Sequence, residues 1–319
     1  MSVIPIELDE DSSYILGLLY GKGHIIEEER GKCRLKFEIR YKYPKVEDVD
    51  VQSAIVKDFF RLKGILETEL SLRMEIEELP DPTIKFRRPV AITSDPVDRK
   101  SLLVRRLFDC DVLSHSVLYR IPDYIFVHPS NIVRSFLQGI ADSTALPPSP
   151  EISKGTAAYT AKGISRIQLE LEFARWYVAI QVCKMFQEVM RAKVYMINWG
   201  HPNIRGVDTW RGQNHQLRLY VPEFAKVGFR MSFKRDFFEA MMKRIKPKDL
   251  PFQSDYCPRK CKPAEKRPYR CSKHNEGDED IPQEVRGLHF STFYQICEKL
   301  GCRARKTCRE AEPLETFTR

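Results

Sequence analysis

Residues 15–23 read ILGLLYGKG, and residues 137–145 read LQGIADSTA. Both stretches lie in apolar helical segments, and each carries small residues four positions apart. These small residues are Gly17 and Gly21 in the first stretch and Gly139 and Ser143 in the second. Because glycine has no side chain, two helix backbones can approach each other closely at such positions. One such helix would indicate only tight packing, whereas a matching pair indicates a pseudo-twofold axis.

Each glycine helix opens a similar series of predicted elements. Residues 34–40 alternate charged and apolar side chains, as a half-buried strand does, and Arg30-Gly31 indicates a hairpin turn before them. The first series has predicted helices at 12–23, 48–63 and 98–109 and further strands at 72–77 and 83–90. The second has predicted helices at 131–143, 174–191 and 234–245 and strands at 166–173, 194–198 and 215–221. The pattern predicts an α/β (α+β) fold of two αββαββα halves, a duplication of about 115 residues.

The composition indicates a folded chain with a polyanionic partner. Of the 319 residues, 42% are hydrophobic, which rules out a mostly disordered protein, and the formal net charge is +9. No apolar run approaches the roughly 18 residues that a membrane helix needs. The acidic start, MSVIPIELDEDSSY, lacks the basic and apolar regions of a signal peptide. We therefore expect a cytoplasmic protein without a membrane partner.

The two glycine stretches and the element order resemble the LAGLIDADG homing-endonuclease family. Residues 15–23 and 137–145 match the two family motifs in register, and the order of elements over residues 10–245 matches the family topology. The resemblance implies that the two motif helices pack at the centre of a pseudo-twofold assembly. It also implies that two four-stranded sheets lie in the major groove of double-stranded DNA. A monomer suffices, because the duplication supplies both half-sites.

The resemblance implies that the outward residues of the strands face DNA. Arg and Lys can bind phosphates or the guanine edge, and Gln can read adenine. The predicted DNA-binding residues are Arg34, Lys36, Arg40, Lys85, Arg87, Arg166, Gln168, Gln216 and Arg218. An ordinary solvated sheet face would also alternate with charge, but the repeated excess of Arg and Lys over acids favours DNA contact. RNA stays open as a partner, since relatives of this fold act in splicing.

The sequence departs from the family where cleavage chemistry is expected. Each family motif carries an acid one residue before its last position, and the two acids together hold divalent metal. Lys22 and Thr144 stand at these positions, and neither replaces a carboxylate that binds Mg²⁺. Asp142 is the only acid within the two motifs. It lies two residues earlier, which turns its side chain by about 200° around the helix.

Two functions follow from this resemblance. The first is a Mg²⁺-dependent DNA endonuclease of restriction or homing type, a phosphodiester hydrolase with a rearranged site. Its candidate catalytic residues are Asp142, Lys22, Thr144 and His24, with Lys162, Glu27 to Glu29 and Glu170 as further candidates. The second is a DNA-binding regulator that has lost cleavage. The prevalence of nucleases in the family favours the first, as does the lack of a separate helix-turn-helix domain in the sequence.

A basic, cysteine-rich segment follows the second half. Six of the nine cysteines fall between 257 and 308, and residues 257–274 read CPRKCKPAEKRPYRCSKH. Two pairs of close ligands can hold a tetrahedral, structural Zn²⁺. The predicted ligands are Cys257, Cys261, Cys271 and His274, with Cys297, Cys302 and Cys308 as substitutes. Free thiols in a flexible tail are the alternative interpretation. The predicted domains are residues 1–115, 116–250 and 251–319.

Overall fold

The computed structural model describes residues 8–40, 49–77, 90–101, 103–104, 120–145, 166–172, 175–201, 214–243 and 290–292. Within this part of the chain, helices combine with antiparallel sheets, as the α+β prediction requires. The chain divides into two compact units. The first unit runs through residue 151, apart from residues 116–118, and includes residues 227–240. The second unit contains the other residues.

The first unit is built on a five-stranded sheet with the order β1-β2-β4-β3, in which β5 also pairs with β2. All of its pairings are antiparallel. Its strands are β1 (Gly23–Glu27), β2 (Lys32–Ile39), β3 (Met74–Ile76), β4 (Val90–Ser94) and β5 (Val97–Asp98). Its helices are α1 (Glu10–Lys22), α2 (Val49–Leu70), α3 (Asp123–Val127), α4 (Ser130–Thr144) and most of α7 (Ser232–Met242).

Helix α1 begins two residues before the predicted range 12–23 and ends one residue before the end of that range. The carboxylate of Asp9 accepts a hydrogen bond from the backbone N–H of Ser12 at 2.7 Å, which caps the start of the helix. Lys22 lies in the last turn, where a cation is favoured by the helix dipole. All nine residues from Ser13 to Gly21 are buried, so α1 is an interior helix.

The hairpin between β1 and β2 turns at the predicted place. A 3-10 turn spans Glu29–Gly31, and Arg30 and Gly31 have φ angles of 61° and 73°. Glycine adopts this left-handed region without the steric cost that other residues meet. In β2, the apolar side chains Leu35, Phe37 and Ile39 are each 0% exposed, as the alternation predicts.

Other boundaries differ from the sequence expectations. Helix α2 continues to Leu70, beyond the predicted end at 63, because Leu62 and Leu66 extend its buried apolar face. Strand β4 begins at Val90, where the predicted strand 83–90 ends, and residues 78–89 lie outside the described part. Val97–Asp98 form a strand at the start of the predicted helix 98–109. Residues 105–109 of that predicted helix also lie outside the described part of the chain.

The second unit contains a four-stranded sheet with the order β6-β8-β7-β9. Its strands are β6 (Arg166–Leu171), β7 (Val194–His201), β8 (Asn214–Tyr220) and β9 (Phe290–Thr292). Its helices are α5 (Trp176–Lys184), which continues as a π-helical turn over Met185–Val189, and α6 (Val221–Phe224). In both sheets, the strand before the long helix pairs with the second of the two strands that follow the helix. The predicted domain boundaries remain predictions.

Candidate nucleic-acid interface and motif-helix ends

Helices α1 and α4 approach each other closely at their glycines, as predicted. A Cβ atom placed on Gly17 would lie 2.0 Å from the carbonyl oxygen of Phe136. A Cβ atom placed on Gly139 would lie 2.1 Å from the carbonyl oxygen of Tyr14. Both obstacles are backbone atoms, which cannot move aside without separating the helices. The two motif stretches therefore meet backbone to backbone.

Asp142 points into the interior of the first unit. Its side chain is 0% exposed. The Oδ2 atom accepts hydrogen bonds from the hydroxyl of Tyr14 at 2.8 Å and from the backbone N–H groups of Arg230 and Met231 at 3.1 and 3.0 Å. Its Oδ1 atom is buried without a hydrogen-bond partner among the described residues. Burial raises the pKa of Asp142 to about 6, although the Lys234 ammonium and these hydrogen bonds act in the opposite direction.

Lys234, on α7, lies at the C-terminal end of α4. Its side chain is 0% exposed, and its ammonium donates hydrogen bonds to the carbonyl oxygens of Asp142 and Ala145, the latter at 3.1 Å. Burial lowers the pKa of Lys234 to about 7, while the negative charge of Asp142 raises it. The last carbonyls of a helix have no partner within the helix, so this ammonium satisfies groups that otherwise need water or a cap.

A second carboxylate fixes the start of α7. Asp58, on α2, is 6% exposed and accepts hydrogen bonds from the hydroxyl of Ser232 and the backbone N–H of Phe233, both at 2.7 Å. Negative charge is favoured at this end of a helix, where backbone N–H groups lack partners within the helix. Asp58 and Asp142 therefore anchor the start of α7 to two other helices.

The remaining candidate catalytic residues differ from Asp142 in their exposure or in their hydrogen-bond partners. Thr144 is 0% exposed, and its hydroxyl donates to the carbonyl oxygen of Ile140 at 2.6 Å. Lys22 is half-buried in the last turn of α1. His24 lies in β1, where its Nε2 atom is 3.9 Å from a carboxylate oxygen of Glu38. Asp142 and Thr144 are thus buried, whereas Lys22 and His24 are partly exposed.

These residues do not fit a divalent metal. Mg²⁺ requires about six oxygen ligands in near-octahedral geometry. Among the described residues, no group of three or more His, Cys, Asp or Glu side chains could hold a metal ion. The Oδ2 atom of Asp142 already accepts three hydrogen bonds. The buried Lys234 ammonium donates hydrogen bonds to the backbone carbonyl oxygens of Asp142 and Ala145. The predicted role of Asp142 as a metal ligand therefore does not agree with its surroundings.

One face of the first sheet carries the partly exposed charged side chains of β2, and the central β4 is buried on that face. His24, Lys36 and Thr93 lie side by side on β1, β2 and β4. The Lys36 ammonium is 3.5 Å from carboxylate oxygens of both Glu38 and Glu77. The predicted DNA contact Lys36 is thus accompanied by two acids. Glu77 follows β3, so the alternation of β2 alone could not show its position.

Two more predicted DNA contacts lie on β2 or at its end. Arg34 forms an ion pair with Glu28, and both side chains are about one-third exposed, at 35% and 32%. Arg40 follows the last residue of β2, and its backbone N–H donates to the carbonyl oxygen of Ser143 at 3.2 Å. This bond holds the end of β2 against the end of α4.

The second sheet carries four polar residues in register on β6 and β8. Gln168 is opposite Arg218, and Glu170 is opposite Gln216. Within β6, the Gln168 amide donates to Glu170 at 2.9 Å. Within β8, the Arg218 guanidinium donates to Gln216 at 2.9 Å. Gln216 is only 2% exposed, so it positions Arg218 rather than offering an accessible edge. Arg166, at the start of β6, is half-buried.

Several predicted site residues lie outside the described residues. They are Lys85, Arg87, Lys162, Cys257, Cys261, Cys271 and His274. The DNA contacts, the catalytic role of Lys162 and the Zn²⁺ site assigned to these residues remain predictions.

The sequence reasoning missed the charged residues that contact Asp142 or the start of α7. These are Asp58, Arg230 and Lys234, together with the phenol of Tyr14. The available signal was a charged residue within an apolar stripe. Asp58 is spaced with Ile55 and Leu62 on α2, and Lys234 is spaced with Phe238 and Met241 on α7.

Comparison of the sequence with protein-family models and with curated proteins gives no match. Among the helices that the structure describes, none has both the length and the apolar character needed to cross a membrane.

Proposed function

We propose that this chain binds double-stranded DNA sequence-specifically through the outward faces of its two sheets. The observation that carries the proposal is that each sheet presents arginine beside other hydrogen-bonding side chains on one face. Arg34 and Lys36 lie on the first sheet, and Arg218 and Gln168 lie on the second. The chain is also basic, with a net charge of +9, which favours a polyanion.

The acids on the first sheet are compatible with this proposal. An ion pair at the surface contributes only about 0–1 kcal/mol to stability, and the side chains of these pairs are all partly exposed. Arg34 and Lys36 can therefore exchange Glu28 and Glu77 for DNA phosphates at small energetic cost. Glu28 and Glu77 would then oppose non-specific binding, because an incorrectly placed phosphate meets a carboxylate.

The second sheet supplies the chemistry for reading bases. An arginine can bind the O6 and N7 atoms of guanine together, and a glutamine can bind the N6 and N7 atoms of adenine. The hydrogen bond from Arg218 to Gln216 restricts the Arg218 side chain. A restricted guanidinium loses less conformational entropy on binding, which favours a specific contact.

Among the functions that the LAGLIDADG resemblance implies, DNA binding without cleavage agrees best with the motif-helix ends. Asp142 is buried in a hydrogen-bonded cluster, and Thr144 bonds to its own helix. Cleavage by a Mg²⁺-dependent mechanism stays a prediction, and it requires carboxylates other than Asp142.

A gel-shift titration on a selected duplex tests this proposal with three variants. Arg34→Ala and Arg218→Ala should each weaken specific binding by about 1–3 kcal/mol if the side chain contacts a base edge. Arg235→Ala is the matched control, because this arginine is exposed on α7 rather than on a sheet. Equal affinities for the wild type and both sheet variants would contradict the proposed interface.

A further inference from the structure

The C-terminal end of α4 contains its own cation. Lys234 reaches it from α7, and its ammonium lies within hydrogen-bonding distance of the carbonyl oxygens of Asp142 and Ala145. The end of a helix carries a partial negative charge, which a cation stabilises. Lys234 is 0% exposed, so its ammonium meets these carbonyl oxygens in the buried interior.

The charged groups at the C-terminal end of α4 are paired with opposite charges of the first unit. Asp142 and Lys234 are both fully buried, and each acts electrostatically on the other. Asp58 and Arg40 act on Lys234 with opposite signs. A buried charge is tolerated when an opposite charge and hydrogen bonds accompany it, and both conditions hold here.

The C-terminal end of α4 offers a divalent ion too few free oxygen ligands and an unfavourable electrostatic environment. The carbonyl oxygens of Asp142 and Ala145 already accept from Lys234, and Oδ2 of Asp142 accepts from three other donors. That leaves Oδ1 of Asp142, far short of the six oxygens that Mg²⁺ prefers. The ammonium would also repel a second cation.

We infer that Lys234 is a resident cation that takes the place of a divalent ion at the end of α4. Asp142 is the partner of this ammonium and not a metal ligand. The inference goes beyond DNA binding and does not depend on it, because it concerns the interior of the first unit alone.

Two measurements on the full chain test the inference. Electron paramagnetic resonance measures Mn²⁺ binding, and thermal unfolding compares stability in Mg²⁺ with stability in NaCl of equal ionic strength. The wild type and Asp142→Asn should bind Mn²⁺ equally and show equal responses to Mg²⁺. Lys234→Met removes the ammonium but keeps the length of the side chain. This variant should bind Mn²⁺ about tenfold more tightly than the wild type, because a repelling charge is gone and an acid is uncompensated.

Mn²⁺ binding by the wild type that disappears in Asp142→Asn would overturn the inference. A folded Lys234→Met protein with unchanged Mn²⁺ affinity would also overturn it. If Lys234→Met does not fold, the comparison of the wild type with Asp142→Asn decides alone. Neither measurement uses DNA, so the result is independent of whether the sheets bind a duplex.

Discussion

The hydroxyl of Tyr14 on α1 donates a hydrogen bond to Oδ2 of Asp142 on α4 at 2.8 Å, in the buried interior of the first unit. The two residues come from the two motif helices and lie 128 positions apart in sequence. Burial of the Asp142 carboxylate is unfavourable for the folded state. The hydrogen bond from Tyr14 offsets part of this cost, because a charge-assisted hydrogen bond is strong.

Replacement of Asp142 should separate its role as an acceptor from its charge. Asp142→Ala leaves the Tyr14 hydroxyl and two backbone N–H groups without their acceptor and removes the negative charge that acts on the buried Lys234 ammonium, so it should destabilise the fold by about 3–5 kcal/mol. Asp142→Asn keeps one acceptor oxygen for the three donors, so its free energy of unfolding should fall by clearly less than that of Asp142→Ala. Urea denaturation gives both free energies of unfolding. Equal losses in the two variants would contradict the acceptor role.

Gly17 should not tolerate a methyl group. Its Cβ atom would lie 2.0 Å from the backbone oxygen of Phe136, so Gly17→Ala should destabilise the protein by about 3 kcal/mol or more. Gly64, on α2, is the matched control, because nothing lies within 4 Å of its Cβ position. Gly64→Ala should stabilise the protein by about 0.5–1 kcal/mol through helix propensity. Thermal unfolding of both variants measures the contrast, and a stable Gly17→Ala protein would refute the close contact.

The stability of the protein should depend on pH through Asp142. Burial raises the pKa of Asp142 from 3.8 to about 6, so the folded state binds the proton more tightly than the unfolded chain. The stabilisation associated with the protonated carboxyl is present below pH 3.8 and is lost as the pH rises to about 6. Free energies of unfolding of the wild type should therefore fall relative to Asp142→Asn across this window. A difference that stays constant with pH would exclude this titration.

Lys234 should add an opposite slope at higher pH. Burial lowers its pKa from 10.5 to about 7, so the unfolded chain binds this proton more tightly. The contribution of Lys234 to stability should rise with pH between about 7 and 10.5. Unfolding of the wild type and of Lys234→Met across this range measures the slope. The same slope in both proteins would show that another group is responsible.

The Zn²⁺ prediction is tested by metal analysis of the purified chain. About one Zn²⁺ per chain is expected, and Cys271→Ser should release it and destabilise the surrounding segment, because structural zinc contributes folding energy directly. Cys297→Ser is the comparison, since Cys297 is a substitute ligand. Release from Cys297→Ser and retention in Cys271→Ser would assign the site to different cysteines.

Local elements could be predicted from the sequence, but contacts distant in sequence could not. The turn at Arg30 and Gly31 depends on neighbouring residues, so its position could be predicted from the sequence. The glycine spacing also predicted a close helix contact, because only backbone can fill the space that it leaves. The Lys234 contact joins residues 92 positions apart and depends on where α7 docks, which no local pattern specifies.

The placement of Asp142 shows the same limit. Its position on α4 follows from helical periodicity, but its partners come from α1 and from the segment that leads into α7. The sequence therefore showed that Asp142 was displaced from the usual motif position without showing what it contacts. Burial of Gln216 similarly depends on neighbours in space, whereas the alternation of β8 alone predicted an outward residue.

Selection from a random duplex library is the measurement that most directly tests sequence-specific DNA binding. The account predicts enrichment of one motif, and affinity for that motif should fall steeply with salt because Lys and Arg displace counterions from phosphates. Structured RNA should compete less well than the selected duplex. Absence of any enriched motif, together with binding that does not change with salt, would contradict the account.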